Sequence, residues 1–126
     1  GYTYGIYSYL QNHIQFSSWI VTTEAGKDVA APAVKEIYKE MDLLTREPAA
    51  PEELRLVKNY LIGHQLAALD GPFNIIDRWK SLILNGLDET YFHDTIQTIK
   101  SVTSEELLEL ARKYFVAEEF YQLVVT

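Results

Sequence analysis

The sequence predicts an α+β domain in the order β-β-α-α-α-α-α-β, an antiparallel sheet carrying its helices on one face. Three observations point there. Residues 2–11 and 16–23 are rich in aromatic and β-branched residues, and the first stretch alternates. From about residue 28 to 115, apolar residues recur at helical spacing, broken by Pro, Gly and capping residues. Residues 120–126 return to alternation.

In the first strand, Tyr2 to Gln11, alternation sets Tyr2, Tyr4, Ile6, Ser8 and Leu10 on one side. Asn12-His13 is the turn. Phe16 to Thr23 forms the second strand of an antiparallel hairpin, and residues 24–27 are a loop. Asp28 is placed to cap the first helix, with Pro32 in its first turn, where a missing N–H is harmless. Val34, Ile37, Tyr38, Met41 and Leu44 make one apolar stripe, and the helix stops near Arg46, before Pro48.

Pro51 opens the second helix at its first position, with Glu52 and Glu53 facing the positive dipole end. Leu54, Val57, Leu61 and His64 share its face, flanked by Tyr60 and Ala68. Asp70-Gly71-Pro72 should end or kink it. A third helix covers about 73–84 and is closed by Asn85-Gly86. Asp88 caps a fourth, which carries Tyr91, Phe92, Ile96 and Ile99. Thr103-x-x-Glu106 is a capping box, and Val102 with Leu107 fits a hydrophobic staple. That fifth helix runs on through Leu110, Ala111 and Tyr114, and Phe120–Thr126 reads as a last strand.

At 126 residues the chain is one domain or part of one. A net charge of −7, with Lys and Arg scattered, argues against nucleic acid, which is bound mainly through basic residues on phosphates. Zero Cys removes disulfides and thiolate metal sites. No run approaches the ~20 apolar residues of a membrane span. The compartment, cytoplasmic or periplasmic, stays open.

Chemistry-bearing residues are sparse. Zinc hydrolysis needs three protein ligands and a base, yet His13, His64 and His93 stand far apart and no His-x-x-Glu-His occurs. His13 reads as a turn residue, His64 as a core or boundary residue, and His93 as exposed. Adjacent carboxylates on a helix point ~100° apart and share no site. Glu52-Glu53 and Glu105-Glu106 are explained by dipole and capping roles, and Glu118-Glu119 by a solvated loop. There is no Gly-x-Ser-x-Gly, no Ser-x-x-Lys and no phosphate loop. Nine Tyr remain, with Tyr2, Tyr4, Tyr7 and Tyr9 crowding the first strand, where cross-strand packing explains most of them.

Gly1-Tyr2-Thr3-Tyr4-Gly5-Ile6 followed by Ser17-Ser18-Trp19-Ile20-Val21-Thr22-Thr23, then Glu53-Leu54 through Lys58, then Val102-Thr103-x-Glu105-Glu106-Leu107 through Phe115, resembles the pitrilysin/insulinase family of zinc metallopeptidases. The match covers nearly the whole chain and falls in the family's C-terminal, non-zinc-binding half. The resemblance implies a LuxS/MPP-like fold, here incomplete. Zinc would be bound outside this chain, on His-x-x-Glu-His of another half or a partner subunit. This half would supply an Arg and a Tyr to the peptide substrate, in a Leu-Arg-x-x-x-Gly-x-x-Tyr pattern. By that pattern the Tyr is Tyr4, with Tyr2 as the alternative register, and the Arg would precede residue 1. The chain is then a substrate-binding, chamber-forming part of a zinc endopeptidase, inactive alone and expected to self-associate through its bare first strand and helix stripes. Two alternatives stand beside it. One is a non-catalytic structural or assembly subunit of the same fold. The other is an unrelated α+β small-ligand sensor, for which the sequence offers no ligand-shaped polar cluster.

Overall fold

The computed structural model describes residues 1–125. It is α+β, a two-stranded antiparallel sheet followed by five helices. The strands are β1 (Thr3–Asn12) and β2 (Ser17–Ala25). The helices are α1 (Ala30–Arg46), α2 (Pro51–Ala67), α3 (Pro72–Leu84), α4 (Thr90–Ser101) and α5 (Ser104–Tyr114). The chain divides into two compact units: Gly1–Arg46 with the segment from Ala111 onward, and Glu47–Leu110.

In the first unit, β1 and β2 pair in regular register from Ile6↔Thr23 to Asn12↔Ser17. Trp19 is the centre of its packing. Its ring stacks on Phe115 at 4.4 Å and meets the edge of Phe120 at 5.7 Å, and Phe120 in turn lies edge-on to Tyr38 of α1. The Trp19 indole N–H donates to Ser8 Oγ at 2.7 Å, so the polar end of a large apolar ring is satisfied across the strands. The stripe on α1 turns inward much as its spacing predicts: Ala33 and Met41 are buried, and Val34, Ile37 and Tyr38 half-buried, but Leu44 is exposed. Arg112 Nε donates to Thr45 O at 2.9 Å, giving the last turn of α1 a partner for an orphan carbonyl.

The predicted last strand does not form. Residues 120–125 lie in no ladder, and Thr126 is outside the described residues. Phe120 has extended dihedrals, yet it docks through its ring on Trp19 and Tyr38. Tyr121 and Leu123 are nearly fully exposed. Alternation gives strand propensity, but a strand needs a partner edge, and among the described residues β1 and β2 pair only with each other. Asp28 is likewise not a helix cap. It sits inside a 3₁₀ turn, Lys27–Val29, that leads into α1.

In the second unit, Pro51 and Pro72 each open a helix, as the missing proline N–H favours. Gly86, at φ 67°, makes the left-handed turn that ends α3, and Leu87 N bonds back to Leu82 O at 2.9 Å. Asp88 Oδ1 accepts the Thr90 N–H at 2.9 Å and starts α4. The capping box is complete: Glu106 N donates to Thr103 Oγ1 at 3.2 Å, and Thr103 N donates to Glu106 Oε2 at 2.8 Å. The inward face of α2 differs from the predicted one. Leu54, Lys58, Ile62 and Gln65 are half-buried, whereas Val57, Leu61 and His64 are exposed. Lys58 Nζ donates to Lys100 O at the end of α4, and Gln65 Oε1 accepts from Arg78 of α3. On α5, Leu107 and Leu108 turn inward while Leu110 stays exposed.

Candidate functional site

The hairpin is interrupted near its start. Thr3 pairs with Ala25 and Ile6 with Thr23, so Tyr4 and Gly5 together oppose Glu24. This is a β-bulge, one extra residue on β1. It shifts the alternation by one. Thr3, rather than Tyr4, shares the face of Ile6, Ser8 and Leu10, and Tyr4 is carried to the other face. The predicted single-sided row of Tyr2, Tyr4, Ile6, Ser8 and Leu10 is therefore split, because a period-two pattern does not count an inserted residue.

Two threonine hydroxyls hold the bulge. Thr3 Oγ1 lies 2.7 Å from Gly5 O and 2.7 Å from Thr23 Oγ1, and Thr23 Oγ1 lies 2.8 Å from Gly5 O. The Gly5 N–H donates to Thr3 Oγ1 at 3.1 Å. A Cβ at Gly5 would stand 3.2 Å from the Tyr7 hydroxyl, closer than side chains ordinarily pack. Glycine thus lets Tyr7 lie back over the bulge. Neither threonine was singled out from the sequence, although a glycine inside a strand is itself a bulge signal.

Tyr4 stands clear of the protein at 112 % exposure, against 46 % for Tyr2. Both line an open groove of about 490 Å³, together with Glu24 and Gly26. A phenol can donate to a carbonyl oxygen or to the oxyanion formed when a carbonyl is attacked.

The three histidines are not brought together. His13 packs against Phe16 beyond the end of β1, His64 lies beside Tyr60 and is exposed rather than in the core, and His93 is exposed on α4. Among the described residues no three His, Asp or Glu side chains form a group able to hold a metal ion. The residues present do not fit a zinc site. The shifted carboxyls have structural partners. A hydrogen bond from Arg55 holds Glu52 below the usual carboxylate range, and the Thr90 hydroxyl and backbone N–H do the same for Asp88. Lys39 is raised by its bond to Glu36. Glu52 and Lys39 are on exposed helix surface, and Asp88 is exposed in the turn before α4. Among the described residues no helix is long and apolar enough to cross a membrane.

No family model, curated protein or solved structure matches the chain.

Proposed function

We propose that this chain is the substrate-binding and chamber-forming part of a zinc-dependent endopeptidase that acts on peptides. The chain is taken as an incomplete domain of the LuxS/MPP-like fold from the non-metal half of a pitrilysin-type enzyme. The metal belongs to a separate half or partner subunit, and no chemical step is assigned to it here. The role of Tyr4 is to donate its phenol O–H to the oxygen of the scissile carbonyl as that oxygen gains charge. The observation that supports this is the bulge, which lifts Tyr4 out of the strand pattern and leaves its side chain wholly exposed. Bulges recur beside functional sites for this reason. An assembly role without catalysis is the second reading. It is favoured by the row of exposed apolar side chains along β1, from Ile6 to Leu10.

Tyr4→Phe in the full-length protein is the test. It keeps the ring and removes the O–H. Loss of one oxyanion donor lowers kcat/KM by about 10²–10³. Tyr2→Phe is the register control and should leave the rate near wild type. Unchanged kcat/KM in Tyr4→Phe would refute the role. Absence of any peptidase activity in the full-length protein with its partner would favour the assembly reading.

A further inference from the structure

Tyr4 and Gly5 have no partner in the ladder: pairing passes from Thr3↔Ala25 directly to Ile6↔Thr23. The cross-strand bonds that fix an ordinary strand residue therefore do not fix this segment. Gly5, which follows Tyr4, directs both of its backbone polar groups to side chains instead. Its N–H donates to Thr3 Oγ1 at 3.1 Å. Its C=O lies 2.7 Å from Thr3 Oγ1 and 2.8 Å from Thr23 Oγ1. Thr3, Gly5 and Thr23 are half-buried, while Tyr4 is wholly exposed. Partial burial strengthens these bonds against competition from water. With the ring clear of the protein, the reach of its hydroxyl is set by the backbone that carries it.

A hydrogen-bond donor stabilises a developing oxyanion only when it is held close to the position the oxygen will take. We infer that Thr3 and Thr23 are positioning residues for Tyr4. The inference rests on the role proposed for Tyr4 above. The two hydroxyls hold Gly5, Gly5 holds the bulge, and the bulge sets the face of β1 from which the phenol is offered. Two consequences follow from this chain of contacts. The threonines act through the Tyr4 hydroxyl, so removing them can lose no more rate than Tyr4→Phe loses. The contact they support forms in the transition state, so the loss falls on kcat and leaves KM nearly unchanged.

The test is the kinetics of the full-length protein with its partner, on the fluorogenic library peptide that the wild type cleaves fastest. Misplacing a reacting group by ~1 Å can cost ~10² in rate, so Thr23→Val should lower kcat about tenfold or more. Thr3→Val removes both a hydroxyl and the acceptor of the Gly5 N–H, and should lose more. Thr23→Ser keeps the hydroxyl and should retain most of the wild-type kcat. In a Tyr4→Phe background, Thr23→Val should cause no further loss, whereas a merely weakened fold would lose rate in either background. Apart from turnover, the ¹H–¹⁵N heteronuclear NOE of the Gly5 amide should fall in the Thr3→Val/Thr23→Val protein while those of Tyr7–Gln11 hold. Full kcat in Thr23→Val beside a slowed Tyr4→Phe overturns this inference and leaves the role of Tyr4 intact. A loss greater than that of Tyr4→Phe, or equal losses in the two backgrounds, overturns it as well. Wild-type kcat in Tyr4→Phe overturns both readings. An unchanged Gly5 NOE in the double variant overturns the inference without any assay of activity.

Discussion

Deleting the two bulge hydroxyls one at a time tests how the Tyr4 segment is held. Three oxygen–oxygen distances of 2.7–2.8 Å join Thr3 Oγ1, Thr23 Oγ1 and Gly5 O, but the triangle contains only two hydroxyl protons. At most two of its sides are hydrogen bonds at any moment. With the Gly5 N–H to Thr3 Oγ1, the lock amounts to three bonds. Thr23→Val keeps the β-branched shape and leaves two of them, so one is lost. Thr3→Val leaves only the bond from Thr23 to Gly5 O, so two are lost. At about 1 kcal/mol net per bond, the single variants should cost ~1 and ~2 kcal/mol and the double ~3, additive within ~0.5. Counting every short distance as a bond predicts otherwise: ~2, ~3 and ~4, with a coupling near 1 kcal/mol. Urea unfolding in a Trp79→Phe background, read through the fluorescence of Trp19, separates the two counts. Trp19 reports on the unit that contains the bulge. Coupling of ~1 kcal/mol would refute the proton count, and a Thr23→Val change below ~0.3 kcal/mol would show that hydroxyls do not hold the bulge at all.

Three further outcomes are expected. Thr103→Ala removes the acceptor for Glu106 N and should cost about 1 kcal/mol, while Thr103→Ser restores most of it; equal stability of all three proteins would show the box to be idle. Asp88 has a lowered pKa in the folded state, so its contribution is full above the ordinary Asp value near ~4 and is lost as pH falls through that value toward the folded one. Asp88→Asn should flatten the acid limb of the stability–pH curve, and an unchanged limb would mean that other carboxyls set it. The chain should also self-associate, because β1 has ten residues, no charge, no proline and an unpaired outer edge. A single monomeric species in sedimentation equilibrium at ~100 μM would count against a symmetric dimer as its resting state.

Local signals transferred well from sequence to structure. The capping box, the proline opening α2 and the glycine closing α3 each act through groups within a few residues, so the sequence contains both partners. Features that needed a distant partner were harder to read. The bulge depends on how β1 registers against Thr23 and Ala25, and the hydroxyl contact between Thr3 and Thr23 spans twenty positions. The C-terminal alternation from Phe120 resembles a strand locally, but ring packing on Trp19 and Tyr38 took the place of a ladder. On α2 the half-buried positions Leu54, Lys58, Ile62 and Gln65 include two polar residues that an apolar periodicity passes over. Tyr4 was picked out by resemblance alone. Its exposure, and the device that produces it, belong to the folded chain.

The bulge also sets a phase. In a two-stranded ribbon, amides that point at the partner strand are shielded and those that point outward exchange with solvent, so protection along β1 should rise and fall every second residue. At Tyr4 and Gly5 that rhythm skips a beat, and the residues before it should run out of step with those after it. A backbone laid against the outer edge would slow the fast-exchanging amides of Ile6–Asn12 and abolish the rhythm there, while the skip at Gly5 survived. Exchange along this one strand therefore distinguishes a partner that extends the sheet from one that only contacts the tyrosine rings, since the latter leaves the alternation as it was.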